Sequence, residues 1–280
     1  MTKIIVTSDQ HLGYDKSNVA DFNNFLDYIL TDGEVESLIL LGDLIDMWRR
    51  DASGLFLEFS EIVRKLFRIA EKVEVHIVAG NHDYHLLRLL DHGYPFKFYK
   101  SLPDPSSSSV EITTTGNKRF IFKHGWEFDL AQHPLIMEAM CHNMSDEEGQ
   151  AISSVYHILD VAKDSLDKDL KEVIHFHDTQ GQGYVKNLLL PPEKRLESYF
   201  QDVERKAYES VGQGETLVFG HTHRPFVSND QKVINSGCWV SDAQISNTFV
   251  QIEGEEMRLC QFTEKQTTID ITAEHTLQIN

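Results

Sequence analysis

The sequence predicts an α/β fold, because short apolar runs alternate with segments of helical spacing. Each run is rich in Ile, Val, Leu and Phe, as expected for strands that are buried on both faces. The predicted strands are Lys3 to Thr7, Ser37 to Leu41, Val73 to Ala79, Lys118 to Phe122 and Thr216 to Phe219. After the first two, apolar residues recur at helical spacing over Val19 to Leu30 and Leu55 to Ala70. This alternation indicates βαβ units.

Each of the five predicted strands ends at a polar cluster. The clusters are Ser8 to His11, Gly42 to Asp46, Gly80 to Asp83, Lys123 to Gly125 and Gly220 to His223. In open α/β sheets, ligand sites form at the carboxyl ends of the strands, where the connecting loops converge. We therefore expect the five clusters to meet and to form one site.

The clusters supply oxygen and nitrogen ligands and no thiolate. Asp9 and His11 alternate along an extended chain, so both side chains project to the same side. Gly42 permits a close backbone approach at the next strand end, and the Asp43 carboxylate can bridge two cations with its two oxygens. The seven predicted ligands are Asp9, His11, Asp43, Asn81, His124, His221 and His223. They divide into two octahedral half-sites that share a carboxylate. This set of ligands fits Mn²⁺, Fe, Zn²⁺, Ni²⁺ or Co²⁺ better than Ca²⁺, and we expect Mn²⁺ among these ions.

In chain order the clusters read D-x-H, GDxxD, GNHD, a lone His and GHxH. This set resembles the calcineurin-like metallophosphoesterase superfamily over Asp9 to His223. The resemblance implies a four-layer αββα sandwich and a dinuclear metal site. It also implies a first metal held by Asp9, His11 and His223, a second held by Asn81, His124 and His221, and a bridging Asp43. The alternative, in which each polar group is satisfied separately at its own strand end, is disfavoured for all five clusters together.

Two divalent ions can polarise a phosphoryl oxygen and lower the pKa of a bound water, so that a metal-bound hydroxide attacks phosphorus in line. His82 follows the ligand Asn81 and is the candidate to donate a proton to the leaving oxygen, as a general acid, or to stabilise the equatorial charge. The resemblance implies that Asp46, the second Asp of GDxxD, orients it. The alternative is a His82 without a role in proton transfer.

Arginines near these clusters are weaker candidates. Arg224 follows GHTH and is predicted to contact the substrate, with a structural counter-ion as the equal alternative. Arg49 and Arg50 follow Trp48, and for them we favour a solvated helix start over a phosphate site.

The segment 127–212 is predicted to be a helical insertion within a single metallophosphoesterase domain that spans 1–280. Pro191-Pro192 interrupts it, and a helix is predicted from Lys194 to Val211. A cap over the site is favoured over a structural buttress.

Within the superfamily, the sequence most resembles the UDP-2,3-diacylglucosamine hydrolase group. Three features carry this resemblance: the insertion, the motif HGxEFD (His124 to Asp129) and the motif GHTHRP. The sequence departs from that group at His82, where those enzymes typically carry arginine. We therefore expect a more general phosphoesterase that acts on a small phosphoester or a nucleotide conjugate.

Two other functions compete with this hypothesis. A nuclease of the DNA-repair type would begin much like Asp9 to Tyr14, but 26 basic against 44 acidic side chains give a net charge of −18, which disfavours nucleic acid. A non-catalytic scaffold without metals is disfavoured because all seven ligands are present.

The sequence also carries expectations about location. No apolar run approaches the roughly 18 residues of a membrane span, and the apolar stretch at the N-terminus is too short for a secretory signal. The three cysteines form no CxxC pair. We expect a cytoplasmic protein that begins at Met1.

Overall fold

A computed structural model of the chain describes residues 3–89, 92–100, 109–114, 117–128, 192–263 and 267–277. Two β-sheets lie within these residues. The first comprises β1 (Lys3–Thr7), β2 (Val35–Leu41), β3 (Glu74–Val78), β4 (Phe96–Tyr99), β10 (Thr248–Glu253), β11 (Glu256–Phe262) and β12 (Thr268–Asp270). The second comprises β5 (Val110–Thr113), β6 (Arg119–Phe122), β7 (Glu215–Phe219), β8 (Phe226–Ser228), β9 (Val233–Asn235) and β13 (Thr276–Leu277).

The strand order places the predicted strands side by side. It is β12-β11-β10-β1-β2-β3-β4 in the first sheet and β13-β8-β9-β7-β6-β5 in the second. Strands β1, β2, β3 and β4 pair in parallel, and so do β6, β7 and β9. The carboxyl ends of β1, β2 and β3 therefore meet at one edge of the first sheet, and those of β6 and β7 at one edge of the second.

Alternate residues of the strands pack in different layers, because successive side chains of a strand point to opposite faces. In β1, Ile5 packs against the helices, whereas Ile4 and Val6 pack between the two sheets. Phe120 and Phe122 of β6 enter the same inter-sheet core from the other side. The two sheets are thus held face to face by an apolar layer.

Helices cover the outer faces of both sheets. Helices α1 (Val19–Thr31), α2 (Ala52–Glu58) and α3 (Ser60–Ala70) pack on the first sheet, and α4 (Pro192–Glu209) packs on the second. In α4, Val203 and Ala207 contact the outer face through Leu217 and Phe219. The layer order is helix, sheet, sheet, helix, so the predicted α/β class and the four-layer αββα sandwich are confirmed.

The predicted helix over Leu55 to Ala70 is in fact two helices. Asp51 caps α2 by accepting a hydrogen bond from the Gly54 backbone N–H at 2.7 Å. Phe59, with φ −96° and ψ 24°, leaves the helical region and ends α2. Phe59 itself packs in the core at this break.

Several short strands have no clear signal in the sequence. Strands β4, β5, β8, β12 and β13 have between two and four residues each. They lie at or near the edges of their sheets, where one side of the strand lacks a neighbour and the alternation of apolar residues is weak. Within the described part of the chain, no helix combines the length and the apolar character that a membrane span requires.

Only part of the predicted insertion falls within the described residues. Helix α4 confirms the helix predicted from Lys194 to Val211. It forms the outer layer on the second sheet, so this helix acts as a buttress. The cap prediction applies to the whole insertion, 127–212, and residues 129–191 of it lie outside the described residues.

Candidate metal centre

The loops that follow the five motif-bearing strands are joined by backbone hydrogen bonds. The Asp9 N–H donates to the Gly42 carbonyl at 3.1 Å, which joins the loops after β1 and β2. The Gly220 N–H donates to the His124 carbonyl at 2.8 Å, which joins the loops after β6 and β7. Within each sheet, the loops are therefore fixed relative to one another.

Two further hydrogen bonds cross from one sheet to the other. His124 Nδ1 lies 2.6 Å from the Leu41 carbonyl of the first sheet. The His221 N–H donates to Asp9 Oδ2 at 2.8 Å. Both bonds involve candidate ligands, so the residues of the site also fix how the two sheets meet at this edge.

Five of the seven candidate ligands adopt a left-handed backbone conformation. Their φ values are 55° for Asp9, 48° for His11, 53° for Asp43, 67° for His221 and 55° for His223. Residues other than glycine rarely adopt positive φ, and such strain concentrates at functional sites, where the surrounding structure enforces it. Positive φ at five of the seven positions therefore marks these loops as a candidate functional site.

Three of the candidate ligands converge as one half-site. His11 Nε2 lies 3.1 Å from His223 Nε2, and Asp9 Oδ1 lies 3.8 Å from the first nitrogen and 3.3 Å from the second. Ligand atoms about 2.0–2.2 Å from one transition-metal ion are separated by roughly 3 Å. The three atoms therefore have the spacing of ligands around a single ion.

The other candidate ligands lie directly beside this half-site. His124 Nε2 is 3.1 Å from Asn81 Oδ1 and 3.4 Å from Asp43 Oδ2. The imidazole of His221 approaches that of His124 with a centroid distance of 5.2 Å. Asp43 Oδ2 is also 3.7 Å from His11 Nε2. The Asp43 carboxylate thus stands between a histidine of each half-site.

Hydrogen bonds at Nδ1 leave the Nε2 atoms suited to bind metal. In His124, Nδ1–H donates to the Leu41 carbonyl, and in His11, Nδ1–H donates to Asp46 Oδ2 at 3.1 Å. Because one proton is held at Nδ1, loss of the second proton from each ring leaves the lone pair on Nε2, as metal-binding histidines require. Asp9 Oδ1 is buried and makes no hydrogen bond within the described residues. The residues present therefore fit a pair of divalent cations.

Asp46 and His82 contact each other next to the candidate ligands. Asp46 Oδ1 lies 3.0 Å from His82 Nδ1, so one buried carboxylate contacts both His11 and His82. The His82 imidazole stacks on Trp48 with a centroid distance of 4.0 Å, and its backbone N–H donates to Asp43 Oδ1 at 2.8 Å. His82 also forms a possible cation-binding group with His11 and Asp43.

The electrostatics of the site favour positive charge. Burial lowers the pKa of His11 and His124, but the neighbouring carboxylates outweigh burial and raise each pKa to about 10. Burial raises the pKa of Asp9 and Asp43, but the surrounding histidines hold each pKa well below the usual value. For His223, burial prevails and lowers the pKa. Ionised carboxylates that draw protons onto their neighbours would equally draw metal cations.

A cavity of about 210 Å³ opens beside these groups. Its lining residues are His11, Tyr14, Asp43, Arg49, Asn81, His82, His221 and His223. Arg49, which the sequence assigned to a solvated helix start, lines the cavity and forms an ion pair with Asp46. Arg50 is exposed and pairs with Glu58. Arg224 packs instead toward α4, with Nε 3.6 Å from Glu204 and the guanidinium over the Phe200 ring.

Asp83 has a structural role that sequence analysis missed. Its carboxylate accepts hydrogen bonds from the backbone N–H groups of Gly80 and Leu44, both at 2.7 Å. Burial and the charge of Asp43 raise its pKa to about 7. Asp83 joins the loop that carries Asn81 to the loop that carries Asp43. The sequence signal that could have indicated this role is the position of Asp83 in GNHD, directly after Asn81 and His82.

Comparisons with known proteins give one family match, which covers most of the chain. The sequence model of the calcineurin-like phosphoesterase family matches residues 2–225. A protein of Shewanella baltica named UDP-2,3-diacylglucosamine hydrolase is 33% identical over 86 residues, which are 30% of this chain and 34% of that protein. The chain thus matches about a third of the length of the curated relatives.

Solved structures show a weaker likeness. An uncharacterised predicted phosphoesterase from Streptococcus pneumoniae is 16% identical, with 96% of this chain and 97% of that chain covered and a TM-score of 0.35. A dimetal phosphatase from Danio rerio is 13% identical, with coverages of 92% and 94% and a TM-score of 0.38. Likeness at this level carries no argument about function.

Metal binding is expected to release protons. Because the pKa values of His11 and His124 are raised to about 10, both rings carry an extra proton at pH 7.5 in the metal-free protein, and a metal must displace it from Nε2. Calorimetric titration with Mn²⁺ in buffers of different ionisation enthalpy should show release of about two protons. Affinity should rise with pH as the protons become easier to displace. A binding enthalpy that is independent of the buffer would contradict this account.

Gly80 is expected to tolerate no side chain. A Cβ at this position would overlap the Asp43 carboxylate and lie 2.5 Å from the Asp43 backbone nitrogen. Gly80→Ala should lower stability by about 1–3 kcal/mol and reduce the bound metal. Gly33→Ala is the matched control, because a Cβ there meets nothing within 4 Å. Thermal unfolding and elemental analysis of both variants test this, and equal behaviour would show that the contact at Gly80 is unimportant.

Proposed function

Since the chain belongs to the calcineurin-like phosphoesterase family, whose model spans residues 2–225, we propose that it is a phosphoesterase with a dinuclear metal centre. The reaction proposed is hydrolysis of a phosphoester or pyrophosphate bond. The observation that carries the proposal is the position of Asp43 Oδ2, 3.7 Å from His11 Nε2 and 3.4 Å from His124 Nε2. A carboxylate in this position can serve two ions at once.

The seven candidate ligands would hold the two ions as two groups. Asp9, His11 and His223 would hold the first, Asn81, His124 and His221 the second, and Asp43 would bridge them. Two bound divalent ions supply Lewis acidity, which polarises the phosphoryl group and acidifies a water. We propose Mn²⁺ as the metal, with Fe, Zn²⁺, Ni²⁺ or Co²⁺ as alternatives, because oxygen and imidazole ligands without thiolate suit these ions.

His82 is proposed to protonate the leaving oxygen. Its Nδ1–H is directed to Asp46 at 3.0 Å, and the stack on Trp48 fixes the plane of the ring. The imidazole lines the cavity beside the ligands, where a phosphoryl group would bind. Asp46 would act as a positioning residue, because its carboxylate accepts the hydrogen bond from Nδ1–H and so holds the His82 ring in place.

The proposed substrate is a small phosphoester or a nucleotide conjugate. The similar protein of Shewanella baltica is named a UDP-2,3-diacylglucosamine hydrolase, which supports a conjugate of this kind. A cavity of about 210 Å³ accommodates a phosphoryl group and the atoms next to it. The cytoplasmic location and the cap formed by the insertion stay predictions.

A substrate screen tests the proposed function. The protein reconstituted with Mn²⁺ is expected to hydrolyse at least one class among phosphomonoesters, phosphodiesters, nucleoside diphosphate conjugates and single-stranded DNA. Activity should disappear with a chelator and return with Mn²⁺, because the ions supply the Lewis acidity. Turnover that persists after complete removal of metal would refute the proposal, and turnover of DNA alone would favour the nuclease.

Replacement of His82 tests the assignment of the acid. His82→Ala should keep both metals but lower kcat by roughly 10²–10⁴-fold on an alkyl phosphoester, the usual effect of losing a general acid. The loss should be smaller on a nitrophenyl ester, because nitrophenolate needs little protonation. His275→Ala, at a histidine that does not line the cavity, is the control. Equal losses on both esters would assign His82 to electrostatic stabilisation, and a loss of metal would make it a ligand.

A further inference from the structure

Arg49 is a cation held in a fixed position at the edge of the cavity. Its Nη1 pairs with the buried carboxylate of Asp46. Its guanidinium carbon lies 4.2 Å from the centroid of the Tyr14 ring, in the geometry of a cation–π contact. The Tyr14 hydroxyl in turn donates to Asp242 Oδ2 at 2.6 Å. The arginine is therefore confined between a carboxylate and an aromatic ring that is itself anchored.

The Arg49 side chain is held in this way although 45% of it is exposed. A free arginine side chain loses conformational entropy when it is ordered for binding, which weakens binding. Here the ordering is already achieved by Asp46 and Tyr14. The guanidinium has five N–H donors in a planar fork, and the hydrogen bond to Asp46 comes from Nη1. Arg49 lines the cavity and keeps donors beyond the one that pairs with Asp46, and a donor group ordered before binding makes a preorganised anion site.

The distribution of charge also supports an anion site at Arg49. Arg49 is the only arginine or lysine among the described residues that line the cavity. The chain as a whole carries a net charge of −18, so its general field repels anionic substrates. The two metals would hold the phosphoryl group that reacts, which leaves Arg49 available for a different anionic group of the same substrate.

We propose that Arg49, positioned by Tyr14, binds a second anionic group on the leaving side of the substrate. This inference rests on the proposed function, because the leaving side is defined by His82. Both His82 and Arg49 contact Asp46 and line the cavity, which places Arg49 close to the proposed acid. The substrate class is a phosphoester whose leaving group carries its own phosphate or carboxylate.

The test measures binding of anions that cannot be hydrolysed. Phenylphosphonate and its 3-carboxy and 4-carboxy derivatives are titrated into the Mn²⁺-loaded protein by calorimetry. The wild type should bind at least one carboxylated compound roughly 10- to 100-fold more tightly than phenylphosphonate, the effect of a hydrogen bond between charged groups. Arg49→Gln should abolish this preference, and Arg49→Lys should keep only part of it, because lysine lacks the planar fork.

Arg50→Gln is the matched control, because it makes the same change of net charge at an exposed neighbour that pairs with Glu58. It should keep the full preference. Metal content is measured for every variant, because Asp46 also contacts the ligand His11. A wild type without the preference, or an Arg49→Gln variant that retains it, would overturn the proposal. An equal loss of affinity for all three compounds would also overturn it and assign Arg49 to holding Asp46.

Turnover of the corresponding phenyl phosphates separates this inference from the proposed function. If the wild type shows the binding preference but hydrolyses none of the esters, the proposed function fails while the assignment of Arg49 stands. If it hydrolyses them without any dependence on the carboxylate, the proposed function stands and the assignment of Arg49 fails.

Discussion

The burial of three carboxylates where the two sheets meet is the constraint on which the rest of the site depends. Asp9 and Asp46 are fully buried, and Asp43 is 2% exposed. Buried charge is costly unless it is paired and hydrogen-bonded. Histidines from both sheets and backbone N–H groups surround these oxygens, so each carboxylate keeps its charge. The same field makes the centre of the site a favourable place for cations.

The loops that carry these groups have strained backbone conformations. Five candidate ligands have positive φ, and such conformations persist only where neighbouring contacts enforce them. The contacts here are the bonds between loops, such as His11 N–H to the Asp43 carbonyl at 2.8 Å, and the bonds between sheets. The four-layer fold supplies rigid strands on both sides, so the strain is concentrated in the loops that carry the ligands.

Asp46 connects groups with different proposed roles. It contacts His11 among the ligands, His82 as the proposed acid and Arg49 as the proposed anion site. Residues that share one partner are expected to show non-additive effects when they are replaced together. A substitution at Asp46 would therefore affect metal binding and proton transfer at once, which makes its own effect hard to assign to a single step.

Much of this organisation could be predicted from the sequence, for identifiable reasons. The five motif-bearing strands were predictable because short, mostly apolar runs such as Val73 to Ala79 end abruptly at polar clusters. The break at Phe59 was not predictable, because apolar residues at helical spacing continue through it. The position of Arg49 was not predictable either, because it depends on Tyr14 and Asp46, which the fold brings together.

The central claim, two metals bridged by Asp43, is tested most directly by a crystal structure of the Mn²⁺-loaded protein with anomalous diffraction data. The account predicts two anomalous peaks about 3.5–4 Å apart, with one Asp43 oxygen bound to each ion or one oxygen shared by both. His82 should lie outside the coordination of either ion. A single peak at saturating Mn²⁺, or two peaks without Asp43 between them, would contradict the account.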